Sequence, residues 1–188
     1  MGRERLTRDD WAAAALAAIQ RGGLAAVAVE PLARTLGVTK GSFYAHFRDR
    51  GELVEAALER WERVHLEAFE RAIQADRDPV EHLRSLMEMA TAAARGSTIQ
   101  GRLLLESDDP RVRAALRRVT ELRLERLESI FDQLGDRGDA AARRATIAYA
   151  TYVGLLQLAR EVPERLADEQ ALVGELARML APTDISPP

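Results

Sequence analysis

An all-α fold is expected from this 188-residue chain, on three observations. Apolar residues recur at helical three- and four-residue spacing from end to end. No run of β-branched or aromatic residues alternates with period two between turn residues, so no strand is expected. Helix start and stop signals punctuate the chain every ten to twenty-five residues or so.

The elements follow in order. Thr7 can cap a first helix, with Asp10 as its reciprocal partner and Leu6 against Trp11 as a hydrophobic staple. The Gly22-Gly23 pair ends it. A short second helix, from about Val29 to Leu36, carries Pro31 in its first turn, where a missing N–H costs little. Gly37 stops it, and Thr39 opens a third short helix reaching about Phe47. Asp49 with Glu52 reads as a capping box for a long fourth helix to about Ala75. Asp78-Pro79 with Glu81 begins a fifth, closed by Gly96, and Ser97 with Gln100 begins a sixth. Asp109-Pro110 opens a long seventh helix whose apolar stripe runs Val112, Leu116, Val119, Leu122, then Leu124, Leu127, Phe131 and Leu134, with one skip partway. An eighth covers about Ala140 to Glu161. A last amphipathic segment runs from Pro163 to about Leu180, before the tail PTDISPP.

Composition narrows the function. The absence of cysteine excludes disulfides, thiolate metal sites and a cysteine nucleophile. Three histidines leave few parts for metal or histidine chemistry. The sequence contains no G-x-G-x-x-G, P-loop, H-E-x-x-H or G-x-S-x-G pattern. Glu62-x-x-His65 has the spacing of a carboxylate-bridged di-metal bundle, which needs two such pairs, and this chain has one. No enzyme, cofactor or metal site is expected. The first residues are polar and the longest apolar runs are too short to cross a bilayer, so a soluble, cytoplasmic protein is expected. Net charge is −3 overall but +3 over residues 1–50, which makes the N-terminal end the candidate for a polyanion partner.

That end contains LARTLGVTKGSFYAHF, residues 32–47, and in it the only lysine of the chain. Two short helices joined by a Gly37-Val38 turn ahead of a long helix are helix-turn-helix geometry. Leu32, Leu36, Val38, Phe43 and Phe47 read as its small core. Thr39, Lys40, Ser42, Tyr44 and His46 remain outside, and all five carry hydrogen-bond donors. Lys40 and Arg50 add positive charge, and Gly41 allows close backbone approach to a phosphate. Tyr44 reads either as packing or as a DNA contact, and His46 as a contact or a solvated side chain. Arg3, Arg5 and Arg8 read either as a backbone-following arm or as an unordered basic tail.

The run LARTLGVTKGSFYAHFRDRGELVEAAL resembles the tetracycline-repressor (TetR) family of bacterial transcription regulators, over about residues 8–60. The resemblance implies a DNA-binding domain at 1–50 and a ligand-binding and dimerisation domain at 51–188. It places Thr39, Lys40, Gly41, Ser42, Tyr44 and His46 at operator-contacting positions, and Arg50 at a phosphate-contacting one. Two departures stand out: Ala28 where the family often has threonine, at a loss of about 1 kcal/mol of capping, and Gly51 in place of an acidic or polar residue. The implied partners are double-stranded operator DNA, a small and mostly apolar effector, and a second copy of the chain, paired through the last two helices. Ala150 and Gly154, with Val153, Leu156, Leu172, Leu176 and Leu180, are compatible with that pairing and equally with an internal core. Candidate effector-pocket residues are Trp61, His65, Phe69, Met87, Phe131, Tyr149, Tyr152 and Gln157, all of which also suit a plain bundle core. The function implied is a repressor whose fourth helix, shared by both domains, couples them. The alternative is a helical ligand-binding or adaptor protein that no longer reads DNA.

Overall fold

A computed structural model describes residues 6–74, 79–95 and 98–180. Regular structure among them is entirely helical: α1 (Arg8–Gly22), a 3-10 turn at Leu24–Ala26, α2 (Val29–Leu36), α3 (Lys40–Tyr44), α4 (Arg50–Gln74), α5 (Pro79–Arg95), α6 (Ile99–Leu104), α7 (Pro110–Gln133), α8 (Asp139–Glu161), a second 3-10 turn at Pro163–Leu166, and α9 (Glu169–Leu180). The chain divides into two compact units, Met1–His65 with Thr98–Arg117, and Leu66–Ser97 with Arg118–Pro188. No helix among the described residues is long and apolar enough to cross a membrane. The expected roles of Arg3, Arg5, Asp78, Gly96, Ser97 and the PTDISPP tail fall outside the described residues.

The first unit is built on aromatic packing. Trp11, Phe43, Phe47 and Trp61 are fully buried with Ile19, Val27, Leu53 and Val54. Phe43 meets the Trp11 ring edge-on at 5.5 Å and stacks on Phe47 at 5.6 Å. The alanine-rich α1 buries Ala12, Ala15 and Ala18 beside Trp11 and Ile19, and small side chains there let neighbouring backbones come close. Leu103, Val112, Ala115 and Leu116, from α6 and the start of α7, are buried as well.

Helix ends were largely legible. Thr7 and Asp10 form the reciprocal cap at the start of α1, and the Gly23 N–H bonds the Ile19 carbonyl at 2.7 Å to close it. Gly37 sits in the left-handed region at φ 67° and ends α2, where a Cβ would be strained. Three ends differ from expectation. Helix α3 stops at Tyr44, short of Phe47, and the Thr39 side chain makes no capping bond. Thr98 caps α6, its hydroxyl accepting from the Gly101 N–H at 3.1 Å. At α4, Asp49 Oδ1 accepts the Glu52 N–H at 2.9 Å. The Glu52 carboxylate, however, accepts from the Arg48 N–H at 2.8 Å and from the Arg8 guanidinium at 2.8 Å. The box therefore closes one residue early, on the Arg48 N–H, with Arg8 bonded to the other oxygen of the same carboxylate. Gly51 has a packing reason: a Cβ there would lie 3.0 Å from Asp49 Oδ1 and 3.3 Å from Arg111 Nη1.

In the second unit α5 lies against α8 and α9. Leu83, Leu86, Met87, Leu127, Ile130, Phe131, Leu155, Val173 and Leu180 are buried there. The α7 stripe does not skip as expected. Leu122 is exposed, and Arg123, only 6 % exposed, fills the seam between Val119 and Leu127 at unbroken four-residue spacing. Sorting by hydrophobicity passed over it because the residue in the core slot is charged. On the last two helices, Leu156, Leu176 and Leu180 belong to the unit's own core, whereas Ile147, Leu158 and Met179 are exposed.

Hydrogen bonds from the Arg48 N–H and then from Arg8 hold the Glu52 carboxyl down at about 2, against an ordinary 4.5. A depressed carboxyl contributes stability that is fully present above its unfolded value and is lost as pH falls through the folded one. Glu52→Gln should therefore lower the Tm at pH 7 and lose less of it than wild type between pH 4.5 and 2. Parallel acid limbs in thermal unfolding of the two proteins would refute this.

Candidate nucleic-acid interface

The candidate reading surface rises from the turn between α2 and α3. Past Gly37, the Val38 N–H returns to the Ala33 carbonyl at 2.9 Å, so the backbone reverses tightly. The Thr39 carbonyl accepts the Ser42 N–H at 3.0 Å, and the Phe43 carbonyl accepts the N–H groups of His46 and Phe47. Phe43 is the only buried residue of α3. With that ring inward, the remaining positions are distributed over the outer edge.

Thr39, Lys40, Gly41 and Tyr44 are exposed, Ser42 and His46 half-buried, and Arg50 exposed as a residue. Tyr44 is 59 % exposed and rests its ring against the edge of Phe43 at 5.1 Å. Lys40 Nζ meets Glu30 Oε1 of α2 at 3.0 Å, with both side chains in solvent. Each raises the other's preference for its charged form: the pair holds Glu30 below and Lys40 above their ordinary values. An exposed pair of this kind contributes little stability. Gly41 is not demanded by the protein itself, since a Cβ there would meet only Thr39 Oγ1, at 3.6 Å.

Two basic residues point elsewhere. Arg50 donates from Nε to the Val27 carbonyl at 2.6 Å and from Nη2 to the Leu24 carbonyl, so the guanidinium grips the segment leading into α2. Arg8 is no free arm. Its guanidinium lies 4.5 Å from the Phe47 ring centroid, pairs with Glu52, and donates to the His46 carbonyl at 3.0 Å.

The candidate effector residues do not form one cluster. Trp61 and His65 fall in the first unit, rings 5.2 Å apart. The other six fall in the second. There Tyr149 and Tyr152 lie 6.0 Å apart, and the Arg123 guanidinium stands 5.3 Å from the Tyr152 ring and 5.6 Å from Phe69. Thr120 and Tyr149 share a hydroxyl hydrogen bond of 2.9 Å. Burial pushes the Tyr152 hydroxyl above its ordinary value, partly opposed by Arg123. Met87 and Phe131 are buried. Gln157 is exposed and reaches Glu161 at 3.5 Å, on the surface and apart from this frame. No group of three or more potential metal ligands occurs among the described residues.

Residues 12–57 match the family model for bacterial regulatory proteins of the tetR family. That span takes in the helix-turn-helix and the first turns of α4. No curated protein sequence matches the chain. Solved structures share its fold along nearly all its length. A TetR transcriptional regulator from Chloroflexus aurantiacus J-10-FL is 22% identical, with a TM-score of 0.78 over 92% of this chain and 93% of that one. A TetR-family regulator from Streptomyces coelicolor is 16% identical, with a TM-score of 0.78 over 93% and 90%. The transcriptional regulator FadR from Bacillus subtilis, solved in complex with stearoyl-CoA, is 17% identical, with a TM-score of 0.71 over 93% and 98%. Identities this low speak for the fold, and the family match speaks for residues 12–57. Residues 12–57 are thus a DNA-binding-type domain matching the tetR family of bacterial regulatory proteins, set in a chain that shares its fold from end to end with regulators of that family.

Proposed function

We propose that the chain is a homodimeric transcriptional repressor that reads a palindromic operator through α3 and is released by a small, mostly apolar effector. Residues 1–50 would read DNA, and residues 51–188 would bind the effector and pair the protomers. The observation that carries this reading is the division of labour around α3: Phe43 locked in an aromatic core, with Thr39, Lys40, Gly41 and Tyr44 exposed to solvent beside it. Donors on an exposed helix edge suit phosphates and base edges of the major groove. The weak Lys40–Glu30 pair is readily exchanged for a phosphate. Ser42, His46 and Arg50 complete the proposed contact set, Arg50 only as far as its grip on Leu24 and Val27 leaves donors over.

Pairing through α8 and α9 is supported by the apolar side chains left outside the unit's core. Ile147, Ala150, Gly154 and Leu158 recur at three- and four-residue spacing on α8, exposed except for the half-buried Gly154, and Met179 on α9 is 69 % exposed. Twofold pairing would set the reading helices about 34–36 Å apart, one turn of duplex, or a multiple. Selection from random duplex DNA should therefore recover a palindrome bound by two protomers. Recovery of no sequence preference would point instead to an adaptor that does not read DNA.

On that selected site Lys40→Ala should weaken binding while leaving the Tm unchanged. Its slope of log affinity against log salt should be shallower than wild type by about 1, the loss of one phosphate contact. Unchanged affinity at matched salt removes Lys40 from the interface.

For the effector, Phe69, Met87 and Phe131 supply apolar surface, while Arg123, Tyr152, Tyr149 and Thr120 supply polar groups, one of them a buried cation. This combination supports an apolar body with an acidic end. Ligands that bind the native state raise its melting temperature by mass action, so alkyl carboxylates should raise the Tm more than alcohols of equal length. Equal shifts would leave the acidic end without support.

A further inference from the structure

The Leu24 peptide is gripped from both sides by residues distant in sequence. Its N–H donates to Glu106 Oε2 at 2.8 Å, and its carbonyl accepts from Arg50 Nη2. Glu106 comes from the turn after α6, and Arg50 opens α4. Glu106 Oε1 also faces Arg102 Nε at 3.6 Å, which holds the carboxylate in place. A Cβ on Gly23 would overlap the Glu106 carboxylate, at a backbone φ of 71° that L side chains rarely adopt.

The grip acts where the helix-turn-helix lacks a local anchor. Ala28, the N-cap of α2, makes no side-chain capping bond. The start of α2 is instead tied through the preceding turn, by Arg50 at the Leu24 and Val27 carbonyls and by Glu106 at the Leu24 N–H. Hydrogen bonds between a charged side chain and a backbone group are about twice as strong as neutral ones. We propose that Glu106, acting through Leu24, is a positioning residue for DNA reading: it fixes where α2, and with it α3, stands, without touching DNA. This inference rests on the operator-binding reading above.

The sign of its effect separates it from plain electrostatics. Glu106 is an acid in a DNA-binding unit, so removing it for charge alone would tighten binding to a polyanion. Positioning demands the opposite. On the selected duplex, measured by fluorescence anisotropy over a range of salt, Glu106→Ala should bind about tenfold more weakly, the loss expected for one charge-assisted hydrogen bond. The salt slope should stay at the wild-type value, because no phosphate contact is lost. Glu106→Gln keeps an acceptor oxygen and should recover most of the affinity. Glu106→Asp, which keeps the charge but draws the carboxylate back from the Leu24 N–H, should mimic Glu106→Ala and stands in for it if that variant does not fold. Amide exchange gives a readout independent of DNA: the Leu24 N–H should exchange faster in Glu106→Ala than in wild type, with the amides around Trp11 and Leu53 unaltered. Affinity equal to or tighter than wild type, or unaltered exchange at Leu24, overturns the role of Glu106. If the wild-type protein selects no duplex, the regulator reading fails, and the exchange measurement still decides whether the grip exists.

Discussion

The burial of one ring, Phe43, is the constraint on which the reading surface depends. A helix as short as Lys40–Tyr44 has almost no stability of its own, because nucleation costs more than one turn of hydrogen bonds returns. Its geometry must come from packing. Phe43 supplies that by seating between Trp11 and Phe47, and once it faces inward, helical periodicity turns Gly41 and Tyr44 away from it, while Lys40 is exposed at the helix's open first turn. Arg8 completes the arrangement by covering Phe47 and bonding the His46 carbonyl, which ties the end of α3 to the start of α1.

Around that core, charged side chains serve as struts. Surface ion pairs contribute little when two flexible chains merely meet in water. Here several carboxylates and guanidiniums bond backbone groups at the ends of elements, where orphan N–H and C=O groups need partners. Glu52 takes the Arg48 N–H, Glu106 the Leu24 N–H, and Arg50 the Leu24 and Val27 carbonyls. Arg50 and Glu106 stand in for the side-chain cap that α2 lacks, while at α4 Glu52 adds to the cap that Asp49 provides. The glycine at 51 belongs to the same scheme, since it leaves room for Arg111 beside Asp49 at the start of α4.

The second unit holds a different kind of charge. Arg123 occupies a core position of α7 between the Phe69 and Tyr152 rings. A hydrophobic residue of similar volume would commonly serve stability as well or better there, because desolvating a guanidinium is costly. The aromatic faces and the Tyr152 hydroxyl offset part of that cost. Such a buried cation is the feature on which the proposed recognition of an acidic effector rests.

The sequence by itself determined what depends on near neighbours. The order of helices, the Thr7–Asp10 box, the stop at Gly37 and the inward Phe43 of a helix-turn-helix all follow from spacings of a few residues, over which the backbone fixes geometry. Of the positions expected outside, Thr39, Lys40 and Tyr44 are exposed, whereas Ser42 and His46 are half-buried. Tertiary structure decided what depends on distant partners. Arg50 turned to the Leu24 and Val27 carbonyls, Glu106 reached Leu24, and Arg8 chose Phe47 and Glu52 over solvent. It also decided which of two apolar stripes on α8 and α9 became core, burying Leu156 and Leu176 and leaving Ile147 and Met179 outside. Long charged side chains can satisfy themselves in many ways, and apolar stripes can face either a neighbour or another copy. Only the packed chain selects among those options, because the competing partners lie tens of residues away and enter no local pattern.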